Sequence, residues 1–186
     1  MGQEEAILVG QTNQDSLYED TIDQFGPAIE RLARAYEADP EKRRDLSQDI
    51  HLQLWRSFES YNSRCSLRTW VYRIAHRVAV SHIVRERRIF SNLVGLEEFE
   101  ALSDKADSQS AANRRMDLNR LSALIQRLKP LDRLVIVSYL EGMDAGTTGE
   151  ITGLSPANVA MRIHRIKNIL AKRFQQRQQE GGNDAK

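Results

Sequence analysis

Hydrophobic residues recur at helical spacing along most of the chain. A projection at about 100° per residue places one set of residues of 66–88 on a single face. These are Leu67, Trp70, Val71, Ile74, Val78 and Ser81. Leu46, Ile50, Leu54 and Phe58 repeat every four residues, the pattern of a helix with one buried face. No segment alternates apolar and polar residues as a strand does. The pattern predicts an all-α chain.

Four prolines predict where helices begin. Pro27, Pro40 and Pro156 each follow a residue suited to capping, and the first helical position tolerates a proline because its N–H group is not needed there. Pro130 precedes another periodic apolar run. The predicted helices are 27–37, 40–60, 66–88, 114–128, 130–141, 144–152 and 155–175.

Charge divides the 186 residues into blocks that the net charge of +1 conceals. Residues 1–24 carry a charge of −6 and 91–110 carry −4, whereas 25–90 carry +5 and 111–186 carry +6. Two basic blocks indicate contact with a polyanion. The predicted organisation is an acidic N-terminal extension (1–24), a helical domain (25–90), an acidic linker (91–113), a second helical domain (114–175) and a flexible tail (176–186).

Several classes of protein do not fit this composition. No apolar run approaches the roughly 20 residues of a membrane span, and the acidic start does not look like a signal peptide, so we expect a cytoplasmic chain. The single cysteine, Cys65, and four scattered histidines indicate neither a disulfide framework nor a metal site. No nucleophile and base, paired acids or phosphate-binding loop can be assembled. We therefore expect no cofactor and no enzymatic activity.

Residues 142–174 have the outline of a helix-turn-helix, in which the second helix enters the DNA major groove. Val159, Ile163, Ile166 and Leu170 share one face of the predicted second helix. The opposite face carries Asn158, Met161, His164, Arg165, Asn168 and Lys172, with Arg162 at the margin. Asparagine and arginine can read base edges. The alternative is an ordinary helical hairpin with a charged outer face.

The chain resembles the extracytoplasmic-function sigma factors of bacteria. DLSQDIHLQLWRSFESYN (45–62) and SLRTWVYRIAHRVAVSHIVRERR (66–88) are similar to sigma domain 2. LKPLDRLVIVSYLEGM (128–143) and GLSPANVAMRIHRIKNILAKRF (153–174) are similar to sigma domain 4. The resemblance implies two small helical domains, core RNA polymerase and promoter DNA as partners, and an anti-sigma factor as a further partner.

The resemblance also implies roles for individual residues. The first domain would capture the melted minus-10 strand through Asn62, Arg64, Arg68, Arg73, His76, Arg77, Arg85, Arg87 and Arg88. The second would read duplex minus-35 DNA through Ser155, Asn158, Met161, Arg162, His164, Arg165 and Lys172. Polymerase would be bound by Asp45, Gln48, Asp49, Leu52 and Trp55. Trp70 would instead anchor the core, whereas Tyr72 lies nearer the polar side.

The chain departs from the family pattern in its helix-turn-helix. Residues 145–149 read AGTTG where the family usually has Tyr-Glu-Glu-Ile-Ala, and each glycine inside a helix costs about 1 kcal/mol relative to alanine. Ala160 replaces a residue that is often basic, and His76 and Arg77 also differ from the usual residues. Two alternatives therefore stay open. The chain could bind polymerase or a regulator without directing initiation, or it could be a conventional repressor.

Overall fold

The computed structural model describes the backbone of residues 2–93 and 111–181 and the side chains of residues 14–86 and 118–174. Within these ranges the chain is helical and contains no strand, so the predicted all-α class is confirmed. The helices are α1 (Gly2–Tyr36), α2 (Pro40–Ser57), α3 (Leu67–Leu93), α4 (Ala111–Gln126), α5 (Pro130–Leu140), α6 (Ala145–Thr152) and α7 (Pro156–Gly181), with a 3₁₀ turn at Phe58–Ser60. We call α1–α3 the N-terminal unit and α4–α7 the C-terminal unit.

The core of the N-terminal unit forms where α1, α2 and α3 pack against each other. The apolar repeat predicted for α2 is confirmed, because Leu46, Ile50 and Leu54 have no exposed surface. Burying each such side chain stabilises the fold by about 1.5–3 kcal/mol. Asp39 caps α2 as predicted, since its carboxylate accepts from the amides of Glu41 and Lys42.

The helix start predicted at Pro27 is wrong. Pro27 lies inside α1, which begins upstream at Gly2. A proline at this position cannot donate a hydrogen bond to the carbonyl four residues earlier. The helix nevertheless continues through it because apolar residues on both sides, including Phe25 and Ile29, are buried in the core. Tertiary packing therefore outweighs the local preference.

Residues 14–24, which belong to the predicted acidic extension, lie on α1 and contact α2. Gln14 Nε2 donates to the Trp55 carbonyl at 2.6 Å. The Trp55 indole Nε1 donates to Asp15 at 2.7 Å. The Tyr18 hydroxyl lies 3.0 Å from His51 Nδ1, and burial lowers the pKa of this histidine. This part of the acidic segment is therefore built into the N-terminal unit.

Helix α3 is buried on more of its surface than the sequence predicts. Val71 and Ile74 are buried as expected, but Tyr72 is only 2% exposed although it was placed near the polar side. Ser81, predicted on the apolar face, is exposed, and its hydroxyl donates to the Arg77 carbonyl. The additional burial of α3 arises because this helix packs against α1 and α2 and also against α6 of the C-terminal unit.

The C-terminal unit buries one face of α7 against α4, α5 and α6. Val159 and Ile166 are fully buried, Leu170 is buried and Ile163 is half-buried, which confirms the face predicted for this helix. Helix α7 extends to Gly181, so the residues 176–181 of the predicted flexible tail are helical. The predicted linker, 91–113, overlaps the ends of α3 and α4, and its residues 94–110 lie outside the described residues.

The turn between α6 and α7 depends on two glycines. Gly153 ends α6 with a φ of 76°, a left-handed conformation that favours glycine. Gly149 lies inside α6, where an added Cβ would be only 2.6 Å from the Leu154 carbonyl oxygen. Gly149 is therefore needed for the close approach of the turn, whereas the sequence argument counted it only as a cost to the helix.

We expect Gly149→Ala to destabilise the protein by about 1–3 kcal/mol, because the added methyl group would collide with backbone rather than with a flexible side chain. Gly26→Ala is the matched control. Its Cβ would meet Ile22 at an ordinary 3.6 Å, so replacing this helical glycine should stabilise by about 0.5–1 kcal/mol. Thermal and urea unfolding measure both changes. Equal stabilisation by the two variants would contradict the proposed role of Gly149.

Candidate nucleic-acid interface

The outer face of α7 is open to solvent. Helix α7 begins at Pro156, and the hydroxyl of the preceding residue, Ser155, accepts from the Asn158 amide at 3.3 Å. Six of the seven residues predicted to contact the minus-35 element are exposed. They are Ser155, Asn158, Met161, His164, Arg165 and Lys172; the seventh, Arg162, is half-buried. The structure thus brings this predicted set together on one face.

Two of these arginines converge on one carboxylate of α5. Arg162 Nη1 lies 2.6 Å from Asp132 Oδ1, and Arg165 Nη2 lies 2.9 Å from Oδ2. The side chain of Asp132 is 13% exposed, whereas that of Arg165 is 56% exposed. Asp132 therefore neutralises part of the charge of α7 and joins α7 to α5.

The predicted minus-10 residues of α3 contact the C-terminal unit. Arg68 donates to the backbone carbonyl of Glu141, and Arg73 Nη2 donates to the carbonyl of Glu150 at 2.9 Å. The Thr69 hydroxyl also lies 3.2 Å from the Glu150 carboxylate. Two arginines that were predicted to bind phosphate thus donate to backbone carbonyls of the C-terminal unit.

His76 is enclosed at the same contact. Its Nδ1 lies 2.7 Å from the Tyr36 hydroxyl, which also contacts the Pro130 carbonyl at 3.2 Å. Burial, with a smaller contribution from the charge of Arg133, lowers the pKa of His76 to about 4. His76 is consequently neutral near pH 7 in this arrangement and supplies no positive charge.

The other predicted minus-10 residues are less enclosed. Asn62, Arg64 and Arg77 are exposed. Asn62 and Arg64 flank Ser63, whose φ of 58° bends the chain before α3. Arg85 forms an exposed ion pair of 3.3 Å with Asp49 of α2. The side chains of Arg87 and Arg88 lie outside the described residues.

Most of the predicted polymerase-binding residues form an accessible surface on α2. Asp45, Gln48 and Leu52 are exposed, and the side chain of Asp49 is 43% exposed despite its contact with Arg85. Trp55 differs because its indole nitrogen is held by Asp15 of α1. Four of the five residues are thus available to a partner, whereas Trp55 lies at the junction of α1 and α2.

A set of polar contacts closes the N-terminal unit onto the C-terminal unit; we call it the interdomain latch. It comprises the contacts of Glu141 and Glu150 with α3 and a bidentate ion pair in which Arg31 Nε and Nη2 lie 2.5 and 2.7 Å from the Glu141 carboxylate. The Arg68 Nε is buried without a hydrogen-bond partner. Such a group costs about 1–3 kcal/mol, so the latch is not fully satisfied.

Comparison with protein families resolves what these two units are. Residues 21–89 match the model of sigma-70 region 2, and residues 118–170 match that of sigma-70 region 4. The first match covers the C-terminal part of α1, all of α2 and most of α3, and the second covers α5, α6 and the N-terminal part of α7. The chain belongs to the sigma-70 family.

Two relatives of this sigma factor come from Bacillus subtilis (strain 168). The ECF RNA polymerase sigma factor SigX is 22% identical over 142 residues, which cover 74% of this chain and 73% of SigX. The ECF RNA polymerase sigma factor SigW is 21% identical over 165 residues, which cover 84% of this chain and 88% of SigW. The resemblance to the extracytoplasmic-function sigma factors is thereby confirmed.

Two solved structures share the fold. CnrH, solved in complex with the cytosolic domain of CnrY, matches with a TM-score of 0.63 and 18% identity over 89% of this chain and 92% of CnrH. RpoE of Bartonella quintana, solved with the anti-sigma factor NepR, matches with a TM-score of 0.64 and 20% identity over 83% of this chain and 94% of RpoE. The pair confirms the two-domain helical architecture.

Sequence reasoning missed the residues that organise the sigma factor's two surfaces. Glu141 lies 110 positions from Arg31 and 73 positions from Arg68, and no local pattern links residues so far apart. Asp132 offered a weak signal, since acids are few in residues 118–174.

Among the described residues, no group of three or more His, Cys, Asp or Glu is placed to hold a metal ion, and no helix is long and apolar enough to cross a membrane.

We expect Arg31→Glu to increase the separated population of the two units several-fold, because the new carboxylate would repel Glu141. The free energy of closing the two units should change by about 1 kcal/mol or less, since the Arg31 side chain is 58% exposed and its ion pair is screened by solvent. Single-molecule energy transfer between dyes on α2 and α7 measures the distance between the units.

The double variant Arg31→Glu/Glu141→Arg should restore the closed population. Arg44→Glu is the matched control, because it breaks an exposed ion pair with Glu41 inside α2 and changes the net charge equally. An unchanged distance distribution in Arg31→Glu would show that this ion pair does not hold the latch.

Proposed function

We propose that this chain is an alternative sigma factor that binds core RNA polymerase and directs initiation at promoters with specific minus-35 and minus-10 elements. The observation that carries the proposal is that one chain joins a region 2 match to a region 4 match, with the outer face of α7 exposed. The polymerase supplies the catalysis, and the sigma factor acts with it in the cytoplasm. The chain itself is not an enzyme and needs no cofactor.

The outer face of α7 would read duplex minus-35 DNA. Asn158 and Arg165 carry groups that can bond to base edges in the major groove, and Lys172 can neutralise a phosphate farther along the helix. These side chains are exposed even while the latch is closed. Contact with the duplex therefore requires no separation of the two units.

Capture of the melted minus-10 strand would use α3 and the loop before it. Exposed Asn62, Arg64 and Arg77 could meet this strand directly. Arg68 and Arg73 could offer Nη2 to it only after they release the carbonyls of Glu141 and Glu150. Single-stranded DNA offers phosphates as replacement acceptors for these arginines. Opening of the latch is consequently part of the proposed mechanism.

Polymerase would bind the exposed surface of α2. Asp45, Gln48 and Asp49 supply polar groups and Leu52 adds an exposed apolar side chain. CnrH and RpoE were solved with CnrY and the anti-sigma factor NepR, respectively, which supports an anti-sigma factor as a further partner of this chain. Trp55 would contribute to polymerase binding indirectly, because its bond to Asp15 joins α2 to α1.

Run-off transcription with purified core polymerase and a library of promoter fragments tests the proposal. The wild-type chain should yield transcripts from a defined subset of fragments. The triple variant Asp45→Ala/Gln48→Ala/Asp49→Ala should reduce transcript yield at least tenfold through weaker core binding, whereas Gln53→Ala, at another exposed position of α2, should not. Core binding without promoter-specific transcripts would instead support an interaction protein, the alternative that the covered arginines of α3 favour.

The double variant Arg162→Ala/Arg165→Ala should weaken binding to duplex minus-35 DNA and reduce its dependence on salt. Since Asp132 balances one of the two charges, we expect the slope of log affinity against log salt to fall by about one unit. Fluorescence anisotropy at several salt concentrations measures the slope. Arg44→Ala on α2 is the control. An unchanged slope would indicate that this face of α7 does not contact phosphate.

A further inference from the structure

We propose that Asp132 is a positioning residue that orders Arg162 and Arg165 for sequence discrimination on duplex DNA. The inference rests on the proposed function, because it concerns how the exposed face of α7 reads the minus-35 element. It assigns a role to an α5 residue that does not itself lie on the DNA-facing helix.

The geometry shows how one carboxylate can order two side chains. Arg162 and Arg165 are three positions apart on α7 and therefore lie on the same face of that helix. Asp132 projects from the first turn of α5, a helix that packs against α7. Its two oxygens accept from both guanidinium groups at 2.6–3.1 Å. Each arginine is thus fixed at its tip as well as at its backbone.

The contact leaves hydrogen-bonding capacity for DNA. Arg162 and Arg165 each use one terminal nitrogen on Asp132, and a guanidinium group has five N–H donors in a rigid plane. Holding one nitrogen restricts the orientations that the plane can adopt. An oriented plane can match the paired acceptors of guanine, whereas a mobile one is attracted equally to any phosphate.

The other acids of residues 118–174 have different partners. Glu141 and Glu150 belong to the interdomain latch, and the carboxylate of Asp144 accepts from the Thr147 amide at the start of α6. Asp132 therefore places a negative charge beside α7 that opposes general DNA affinity. We infer that Asp132 improves discrimination between DNA sequences, and that this improvement offsets the loss of general affinity.

The test uses the full chain, a duplex selected by the wild-type chain from a random-sequence pool, and a scrambled duplex of the same length. Asp132→Ala should bind the scrambled duplex a few-fold more tightly, since an acid is lost, while the ratio of selected to scrambled affinity falls about tenfold. Asp132→Asn, which keeps an acceptor oxygen, should give an intermediate ratio. Glu19→Gln, which removes an exposed charge from α1, should leave the ratio unchanged.

The outcomes separate this inference from the function on which it rests. If the wild-type chain selects no duplex, this inference fails, whereas the proposed function is decided by run-off transcription with core polymerase. If the wild type discriminates but both Asp132 variants keep its ratio, the role of Asp132 alone is overturned. An equal loss of both affinities would indicate a structural role and also overturn it. Circular dichroism checks folding, and Asp132→Asn carries the test if Asp132→Ala does not fold.

Discussion

Glu141 joins the two units through both its side chain and its backbone. Its carboxylate binds Arg31 of α1, and its carbonyl accepts from Arg68 of α3. Because these groups lie at the end of α5, the C-terminal unit is held against the surface of α3 that was predicted to bind single-stranded DNA. The burial of Tyr72 and the neutral state of His76 belong to the same contact.

The protein and nucleic acid compete for the same terminal nitrogens of Arg68 and Arg73 on α3. In the closed arrangement the acceptors are the carbonyls of Glu141 and Glu150. A ligand opens such a contact only to the extent that it binds the open state more tightly than the closed state. The buried Arg68 Nε, which has no hydrogen-bond partner, makes the closed state less favourable than a fully paired contact would be.

The features that the sequence predicts correctly depend on local periodicity. The buried repeat of α2 and the two faces of α7 follow from spacing alone, because each helix packs mainly through one face. Pro27 was misread because packing around α1 outweighs a local rule, and Tyr72 because α3 is covered on two sides. From the sequence, Gly149 looks only like a cost to α6. Its close contact with Leu154, which explains the glycine, exists only in the folded turn.

Local spacing likewise predicts only part of the candidate site. Spacing places Asn158 and Arg165 on one exposed face, but it cannot show that Asp132 of α5, which is 33 positions from Arg165, accepts a hydrogen bond from that arginine. Nor does it show that Arg68 and Arg73 are already occupied. The roles of these residues on DNA and of Asp45 on polymerase stay predictions, whereas their positions on the fold are structural facts.

The exposure of α7 beside a covered α3 has a kinetic consequence under the proposed function. Double-stranded DNA can be searched before the groups that hold a separated strand become available. Free transcripts and other unpaired nucleic acids meet a surface on which Arg68 and Arg73 already donate to protein carbonyls, so these two arginines are less available to them during the search. The order of events, duplex first and separated strand second, is thereby built into the way one half of the molecule rests on the other.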